Sequence, residues 1–234
     1  MRGVERQRDA LAAVGELAAV LAHEVRNPLT SIRIDLQHVE ERLPPDSPLR
    51  ASLGRALREV HRLDRTVNGV LRIARSGAIA PGLVDLRVPV RRAVEVALAA
   101  FDQRAARLRS SGVTGASVPV LGDEAALEQV FLNLLLNAAQ ALAPGGEARV
   151  AVALRGRLAR VEIRDGGTGI PADRLARVFD PFYSTRRDGT GLGLSVARQI
   201  VHAHGGTIAI TSEDGTGTTV VVELPAREGG AGDE

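Results

Sequence analysis

A histidine, a glutamate and an asparagine fall within about one helical turn near the start of this 234-residue sequence, at His23, Glu24 and Asn27. Pro28 follows directly, although a proline in a helix interior removes a backbone hydrogen bond and costs roughly 3 kcal/mol. In a helix, the missing bond would leave the carbonyl of Glu24 without its donor. A strained position beside an imidazole and a carboxylate indicates function more than packing.

Two glycine-rich segments in the second half of the chain have the composition of a phosphate-binding backbone. Residues 165–170 follow a strand-like run, and residues 189–195 lead into a helix-like run. Glycine lets the backbone approach a phosphate closely, and a helix N-terminus adds free N–H groups. The segments indicate either a nucleotide site or glycine-rich hairpin turns. Residues 189–193 lack the spacing of the G-x-G-x-x-G fingerprint and follow no strand. A P-loop is excluded because the chain has no lysine.

Two asparagines lie one helical turn apart within an apolar run, at Asn133 and Asn137. On so apolar a helix, two amides either cap neighbouring backbone groups or point into a polar pocket. Mg²⁺ takes few protein oxygens and keeps phosphate and water as its other ligands. An amide oxygen in such a pocket is therefore a reasonable magnesium ligand.

Composition limits the function classes that remain. The length suits two domains, and the absence of cysteine removes disulfides and thiolate metal sites. All 30 basic residues are arginine against 28 acidic residues, so the net charge is only +2 and nucleic-acid binding is not implied. No run of 18 apolar residues exists, so no membrane segment is predicted and the chain is expected in the cytoplasm.

The first half of the chain has the periodicity of long helices. Apolar residues recur at steps of three and four over residues 11–43 and again over residues 49–74, with prolines turning the chain between them. Two helices cannot enclose a core alone, so we expect a hairpin at residues 9–76 that dimerises into a four-helix bundle. His23 and Asn27 lie off the apolar stripe, on one exposed face.

The second half has a mixed pattern, after a linker predicted at residues 77–82. Its lack of regular βαβ alternation predicts a sheet with helices on one face, spanning residues 83–226. The tail at residues 227–234 is expected to be disordered. The predicted strands cover residues 84–87, 118–121, 148–154, 158–164, 207–211 and 218–224, and the predicted helices cover residues 89–107, 124–142 and 192–204.

These segments together resemble the signature boxes of bacterial two-component sensor histidine kinases. The likeness extends from about residue 11 to residue 225, with the boxes in the order and spacing of that family. The segments similar to the phosphoacceptor, asparagine, first glycine, phenylalanine and second glycine boxes are residues 23–32, 133–138, 165–170, 179–182 and 189–194.

The resemblance implies a fold and an activity. The fold class would be α plus α/β: a dimerising, phosphoacceptor helical hairpin followed by an ATP-binding α/β sandwich of the kind found in Hsp90, gyrase and MutL. The activity would be that of a protein histidine kinase that uses ATP and Mg²⁺. A homodimer would phosphorylate itself and then pass the phosphoryl group to an aspartate of a response regulator.

The resemblance also implies residue roles. His23 would be the phosphoacceptor, Glu24 the general base, and Asn27 the residue that holds water for phosphatase activity. Asp165 would accept the adenine amino group, and Asn137 would ligate Mg²⁺. The other implied nucleotide-binding residues are Asn133, Gly167, Gly169, Arg186, Gly189, Thr190, Gly191, Leu192, Gly193 and Thr218.

Two positions depart from the pattern of the family. Gly166 stands where the family usually has asparagine, and Arg186 stands where a lysine is common in the lid. Arginine keeps the positive charge but not the compact geometry of lysine. Two other classes stay open: a phosphotransfer or scaffold protein with an inactive nucleotide domain, and a serine kinase or ATPase of the same nucleotide fold.

Overall fold

The computed structural model describes residues 27–44, 46–57, 59–60, 63, 82–185 and 190–227. These residues fall into two compact units. The first contains the helical residues up to 63 together with residues 182–185 and 190–192, and the second contains residues 82–181 and 193–227. Within the described ranges, no helix has the length and apolarity needed to cross a membrane.

Two helices make up most of the first unit. Helix α1 includes residues 27–42, and helix α2 includes residues 49–57, 59, 60 and 63. Pro28 lies among the helical residues of α1, as the apolar periodicity predicts. His23 and Glu24 lie outside the described residues.

Arg50 closes the turn between the two helices. Its Nη2 donates to the carbonyls of Leu43 at 2.8 Å and Glu40 at 3.2 Å, and its Nε donates to the carbonyl of Pro44 at 2.9 Å. Carbonyls at a helix C-terminus have no partner within the helix. A positive charge is also favourable at that end of the helix dipole. Arg50 therefore stabilises the end of α1 from the start of α2.

The apolar stripes of α1 and α2 are only partly covered. Leu29, Leu53 and Val60 are each less than a tenth exposed. Four further members of the stripes have between 44% and 60% of their surface exposed: Ile32, Val39, Leu49 and Leu63. A stripe of this kind is favourable only where a second surface covers it.

The second unit begins with a small antiparallel pair and then builds a larger sheet. The elements in chain order are β1 (Gly82–Asp85), α3 (Arg87–Asp102), β2 (Arg107–Ser111), β3 (Pro119–Gly122), α4 (Glu124–Ala141), β4 (Glu147–Arg155), β5 (Leu158–Asp165), α5 (Ala172–Leu175), α6 (Gly193–Ala203), β6 (Thr207–Glu213) and β7 (Gly217–Pro225). Strands β1 and β3 pair with each other, and the larger sheet has the order β2-β4-β5-β7-β6, antiparallel except for the parallel pair β2 and β4.

Helix α4 is the centre of the helical layer, because it packs against α3, α6 and strand β5. The core lies between this layer and the large sheet, and its largest fully buried side chains include Phe101, Phe131, Leu127, Leu135 and Ile163. Alternate residues of β5 carry charge instead: Arg160 bonds Glu162 at 2.9 Å and Glu223 of β7 at 3.0 Å. The predicted fold class, a helical region followed by an α/β sheet domain, is confirmed.

Strand β2 is absent from the prediction. The sequence predicts that helix α3 continues to residue 107, whereas the helix ends at Asp102 and Arg107–Ser111 form an edge strand. Alanine, glutamine and arginine favour helix locally, so the helix end carries no propensity signal. Pairing with β4 determines that these residues form a strand. At the start of the strand, Arg107 N donates to the Gly146 carbonyl at 2.8 Å.

The chain just after β7 has backbone hydrogen bonds to the sheet region. Ala226 N donates to the Arg157 carbonyl at 2.9 Å, and Arg227 N donates to the Pro119 carbonyl at 2.8 Å. The first residue of the predicted tail is therefore bonded to the edge of β3. The remaining residues of that tail lie outside the described residues.

Asp85 connects β1, α3 and the chain that enters β3. Its Oδ1 accepts from the backbone N–H groups of Val118 at 3.1 Å and Arg87 at 3.2 Å, and its Oδ2 accepts from Arg87 Nη2 at 2.7 Å. The Arg87 side chain is the largest cause that lowers the pKa of Asp85 to about 2, and the backbone donors add to it against the effect of desolvation. The carboxylate is thus held in its charged form.

Candidate nucleotide site

Three polar side chains form a row across the helix-covered face of the large sheet. Asp165 ends β5 opposite Thr218 of β7, and Thr218 lies opposite Ser212 of β6. Residues paired directly across antiparallel strands share a face of the sheet. Ile163 lies two residues before Asp165 on β5, and Val220 lies two residues after Thr218 on β7, so both share the face of this row. Both are buried in the core beneath the helices. The row therefore lies where the apolar core ends.

The first glycine box packs its backbone tightly behind Asp165. Only 7% of Asp165 is exposed, and its Oδ1 accepts from Gly167 N at 2.9 Å. A Cβ on Gly167 would lie 2.6 Å from the Ala141 carbonyl oxygen, at the end of α4. Gly169 has a φ of +67°, and a Cβ there would overlap the Glu213 carbonyl. These approaches require glycine, which explains the box in structural terms.

Ser212 links this box to the turn before β7. Its Oγ accepts from Ile170 N at 2.8 Å and donates to the Gly217 carbonyl at 2.8 Å. The same oxygen lies 2.9 Å from Thr218 Oγ1. One hydroxyl thus holds the glycine box, the turn and the threonine in fixed positions.

The two asparagines of α4 face the N-terminus of α6. Asn133 Nδ2 donates to the Gly193 carbonyl at 3.2 Å, and Gln129 Nε2 donates to Asn133 Oδ1 at 2.7 Å. A Cβ on Gly193 would lie 4.0 Å from Asn137 Nδ2, so Asn137 borders the same helix start. Asn133 therefore holds α6 against α4 in addition to any role toward a ligand.

The site has two chemically different parts. The sheet side offers the Asp165 carboxylate and the Thr218 hydroxyl, which suit a hydrogen-bonding edge of a flat ligand. The helix side offers amides and an 11-residue helix that begins at Gly193, whose free N–H groups and positive dipole end suit phosphate. Among the described residues, no group of three histidine, aspartate or glutamate side chains could hold a metal ion alone. The amide of Asn137 fits a magnesium ion that takes most of its ligands from phosphate and water.

Comparisons with known proteins match both parts of the chain. The family model of the His Kinase A (phospho-acceptor) domain matches residues 13–79, and the model of the histidine kinase-, DNA gyrase B- and HSP90-like ATPase matches residues 122–228. The two models together account for most of the sequence. The chain belongs to the sensor histidine kinase family.

Curated sensor histidine kinases align with nearly all of the chain. ZraS of Escherichia coli K12 is 35% identical over 221 residues, which is 94% of this chain and 47% of ZraS. Sporulation kinase C of Bacillus subtilis is 31% identical over 224 residues, which is 95% of this chain and 51% of that kinase. The chain thus spans about half the length of the curated histidine kinases that it matches.

Solved structures of histidine kinases share the fold. Full-length ShkA in complex with AMPPNP superposes with a TM-score of 0.74 at 27% identity, covering 93% of this chain and 47% of ShkA. ThkA in complex with the response regulator TrrA gives a TM-score of 0.67 at 25% identity, covering 95% of this chain and 65% of ThkA. Binding to a nucleotide analogue and to a regulator is therefore recorded for proteins of this fold.

The structure brings together several of the residues that the sequence assigns to nucleotide binding in a histidine kinase. Asp165, Gly167, Gly169 and Thr218 surround the end of β5, and Asn133, Asn137 and Gly193 meet at the start of α6. The first unit, not the second, contains Thr190, Gly191 and Leu192. In this segment Leu192 N donates to Thr190 Oγ1 at 3.4 Å. Arg186 and Gly189, like His23 and Glu24, lie outside the described residues. Asn27 is an exposed residue of α1.

The phenylalanine box has one clear contact within the second unit. The Arg198 guanidinium lies over the Phe179 ring at 5.1 Å, and Arg198 Nη2 donates to the Phe179 carbonyl at 3.4 Å. A cation above a ring face is favourable, more so when partly desolvated. Arg198 therefore attaches the segment after α5 to helix α6.

Sequence reasoning missed Ser212 and Gln129. In the sequence, Ser212 is an ordinary serine directly after a predicted strand. Only the pairing of β6 with β7 shows that its side chain lies beside Thr218. Gln129 carried a detectable signal, because it precedes Asn133 and Asn137 at four-residue steps on one face of an apolar helix. His204 has a structural contact, because its Nε2 accepts from Asp123 N at 3.0 Å, at the N-cap of α4.

Proposed function

We propose that this chain is the ATP-dependent catalytic core of a sensor histidine kinase, which phosphorylates itself on His23. The phosphoryl group then passes to an aspartate of a response regulator. We assign the hairpin to residues 9–76 and the ATP-binding domain to residues 83–226, and we place the reaction in the cytoplasm. The observation that carries the proposal is the meeting of acceptors and amides around β5, α4 and α6, in a chain that also matches the phosphoacceptor family model.

The adenine ring would bind at the sheet side of the site. Asp165 would accept a hydrogen bond from the adenine amino group, and Thr218 lies beside it on the paired strand. Gly167 and Gly169 let the backbone of the first glycine box pass close to Ala141 and Glu213 beside this side of the site. The aspartate is fixed before the ligand arrives, because Gly167 N already binds its other side.

The phosphates would bind at the helix side. The start of α6 at Gly193 would supply N–H groups and a positive dipole end. The other expected phosphate-binding residues precede it in the sequence: Gly189, Thr190, Gly191 and Leu192. Asn137 would ligate Mg²⁺ and Asn133 would hold the helix start. Bound magnesium would neutralise charge on the phosphates. By the resemblance, Arg186 would add positive charge near the phosphates, with a broader group than the lysine common at that position.

The chemical step would be a direct transfer to an imidazole nitrogen. A ring nitrogen of neutral His23 attacks the γ-phosphorus, the bond from that phosphorus to the β,γ-bridging oxygen breaks, and ADP leaves. The other ring nitrogen carries a proton, and Glu24 accepts or shares it as positive charge develops on the ring. Positioning and charge neutralisation supply most of the catalysis in such transfers.

The phosphorylated histidine would then meet a response regulator. A regulator aspartate attacks the phosphorus and the bond to the His23 nitrogen breaks. The proton that Glu24 accepted returns to the ring, which restores the neutral imidazole. We also propose that Asn27, four residues from His23 in sequence, orients water when the kinase removes phosphate from the regulator. The complex of ThkA with TrrA supports a regulator as partner for a chain of this fold.

The active form would be a homodimer. Ile32, Val39, Leu49 and Leu63 remain substantially exposed in one chain, and a second hairpin would cover them. The two hairpins would together form a four-helix bundle.

The test is incubation with γ-labelled ATP and Mg²⁺, followed by acid and base treatment of the labelled protein. A phosphohistidine is expected, with label that acid removes and base does not. Nucleotide binding without label would select the inactive phosphotransfer or scaffold protein. Acid-stable label would select a serine kinase of the same nucleotide fold.

A further inference from the structure

The hydrogen bonds of Ser212 determine which way the Thr218 hydroxyl points. A serine hydroxyl has one hydrogen and two lone pairs. The Gly217 carbonyl can only accept, so the Ser212 hydrogen is used in that 2.8 Å bond. The 2.9 Å contact between Ser212 Oγ and Thr218 Oγ1 must then use the hydrogen of Thr218. Ile170 N–H takes the remaining lone pair of Ser212.

Thr218 is therefore left with lone pairs alone to offer a ligand. Its paired neighbour Asp165 is a carboxylate, which also only accepts. Asp165, Thr218 and Ser212 lie in one row on one face of the sheet, so the two acceptors face the same space. A ligand whose ring edge presents a hydrogen-bond donor is favoured in that space. A ligand whose ring edge presents an oxygen is repelled electrostatically by the two acceptors.

We infer that Ser212 is a positioning residue that holds the Thr218 hydroxyl as an acceptor, and that it thereby selects adenine over 6-oxopurines. Adenine carries an amino donor at position 6, whereas guanine and hypoxanthine carry a carbonyl acceptor there. This inference rests on the proposed binding of ATP. It adds a residue that would not touch the base, acting instead through Thr218.

Removing the Ser212 hydroxyl has a directional consequence. In Ser212→Ala the Thr218 hydroxyl loses its acceptor and is free to rotate, so it can donate to the oxygen of a 6-oxopurine. Inosine 5′-triphosphate should then bind better relative to ATP. A purely structural role for Ser212 would weaken the binding of both nucleotides by the same factor.

The experiment measures the affinities of ATP and inosine 5′-triphosphate by calorimetry, with Mg²⁺, on the whole chain. The ratio of the two affinities should favour ATP in the native chain and fall about tenfold in Ser212→Ala. The matched control is Ser110→Ala, an exposed serine on β2 at the other edge of the same sheet, which should keep the native ratio. An unchanged ratio in Ser212→Ala, or an equal loss for both nucleotides, overturns the inference.

A second variant tests the same acceptor without disturbing the turn. Thr218→Val removes the hydroxyl and keeps the branched shape, so it should also lower the ratio. Adding Ser212→Ala to Thr218→Val should change the ratio no further, because the residue through which Ser212 acts is gone. A further fall in the double variant contradicts the inference. An unchanged ratio in Thr218→Val contradicts it even where Ser212→Ala does not fold.

These outcomes are distinct from failure of the proposed function. A native chain that binds ATP and inosine 5′-triphosphate equally well overturns the role of Ser212 and leaves the kinase proposal standing. A native chain that binds neither nucleotide overturns both. A chain that discriminates as expected but does not label His23 retains the inference and contradicts the kinase.

Discussion

The two units differ in how completely they cover their own apolar residues. In the α/β unit Phe101, Phe131, Leu127 and Leu135 are fully buried between one layer of helices and the sheet. In the helical unit Ile32, Val39, Leu49 and Leu63 are 45%, 48%, 60% and 44% exposed. The α/β unit thus completes its own core. The helical unit presents a surface that is stable only against a partner.

The same division separates their chemistry. The α/β unit holds Asp165, Thr218 and Asn137 of the proposed nucleotide site. Asp165 is fixed by a bond within that unit, from Gly167 N at 2.9 Å. The helical unit carries Asn27 and, outside the described residues, His23 and Glu24. Nucleotide binding and transfer to His23 should therefore be separable by mutation.

The largest expected effect is on association. Ile32→Glu would place a charge in the dimer interface, which should weaken dimerisation by roughly a hundredfold or more. The mass in solution should fall from about twice the chain mass of 24.7 kDa to the chain mass itself. Ile34→Glu is the matched control, since Ile34 is 43% exposed on the opposite face of α1. A native chain near 24.7 kDa at micromolar concentration would contradict the four-helix bundle.

The next effect concerns Asn27. Asn27→Ala should keep most self-labelling and lose dephosphorylation of the regulator by roughly ten- to a hundredfold, because a misplaced water attacks poorly. Both activities and the melting temperature should be measured on one preparation. A parallel fall in all three would mean that Asn27 only supports the helix near Pro28.

A smaller effect is expected within the α/β unit. Asn137→Ala should lower the Mg²⁺-dependent affinity for ATP by about tenfold, because a magnesium ligand is lost, while the fold survives on an apolar helix. Gln140→Ala changes an exposed amide of the same helix and should leave the affinity as it is. Calorimetry with and without Mg²⁺ measures the ATP affinity of both variants and of the native chain. Equal Mg²⁺-ATP affinity in Asn137→Ala and the native chain would remove Asn137 from the site.

The smallest effect is on acid stability. The pKa of Asp85 is lowered to about 2 from an ordinary value of 3.8, so its stabilising contribution is present above pH 4 and is lost as the pH falls toward 2. Asp85→Asn should melt about 2–4 °C lower than the native chain at pH 5. The gap should narrow steadily below pH 4 and be mostly lost near pH 2. A gap that stays constant over this range would show that the charge of Asp85 does not contribute.

Sequence reasoning succeeded where periodicity and local chemistry agree. Helix α4 is predicted within one residue because Asp123 caps it, accepting from Ala126 N at 3.0 Å, and a strong apolar run follows. It failed for β2, since Arg107–Ser111 have no apolar alternation and owe their strand to pairing with β4. Ser212 was missed for a similar reason, because its role depends on a neighbour across strands. The local sequence pattern predicts helices and strands with strong periodicity. Contacts between residues distant in sequence determine edge strands such as β2 and side-chain contacts such as that of Ser212 with Thr218.

The most direct test of the account is self-labelling of His23→Gln with γ-labelled ATP and Mg²⁺, beside ATP affinity measured on the same protein. Because His23 belongs to the first unit and Asp165, Thr218 and Asn137 belong to the second, labelling should be abolished while the affinity stays within about twofold of the native value. Labelling of His23→Gln at the native rate would contradict the account, since the phosphoryl group would then reside on another residue.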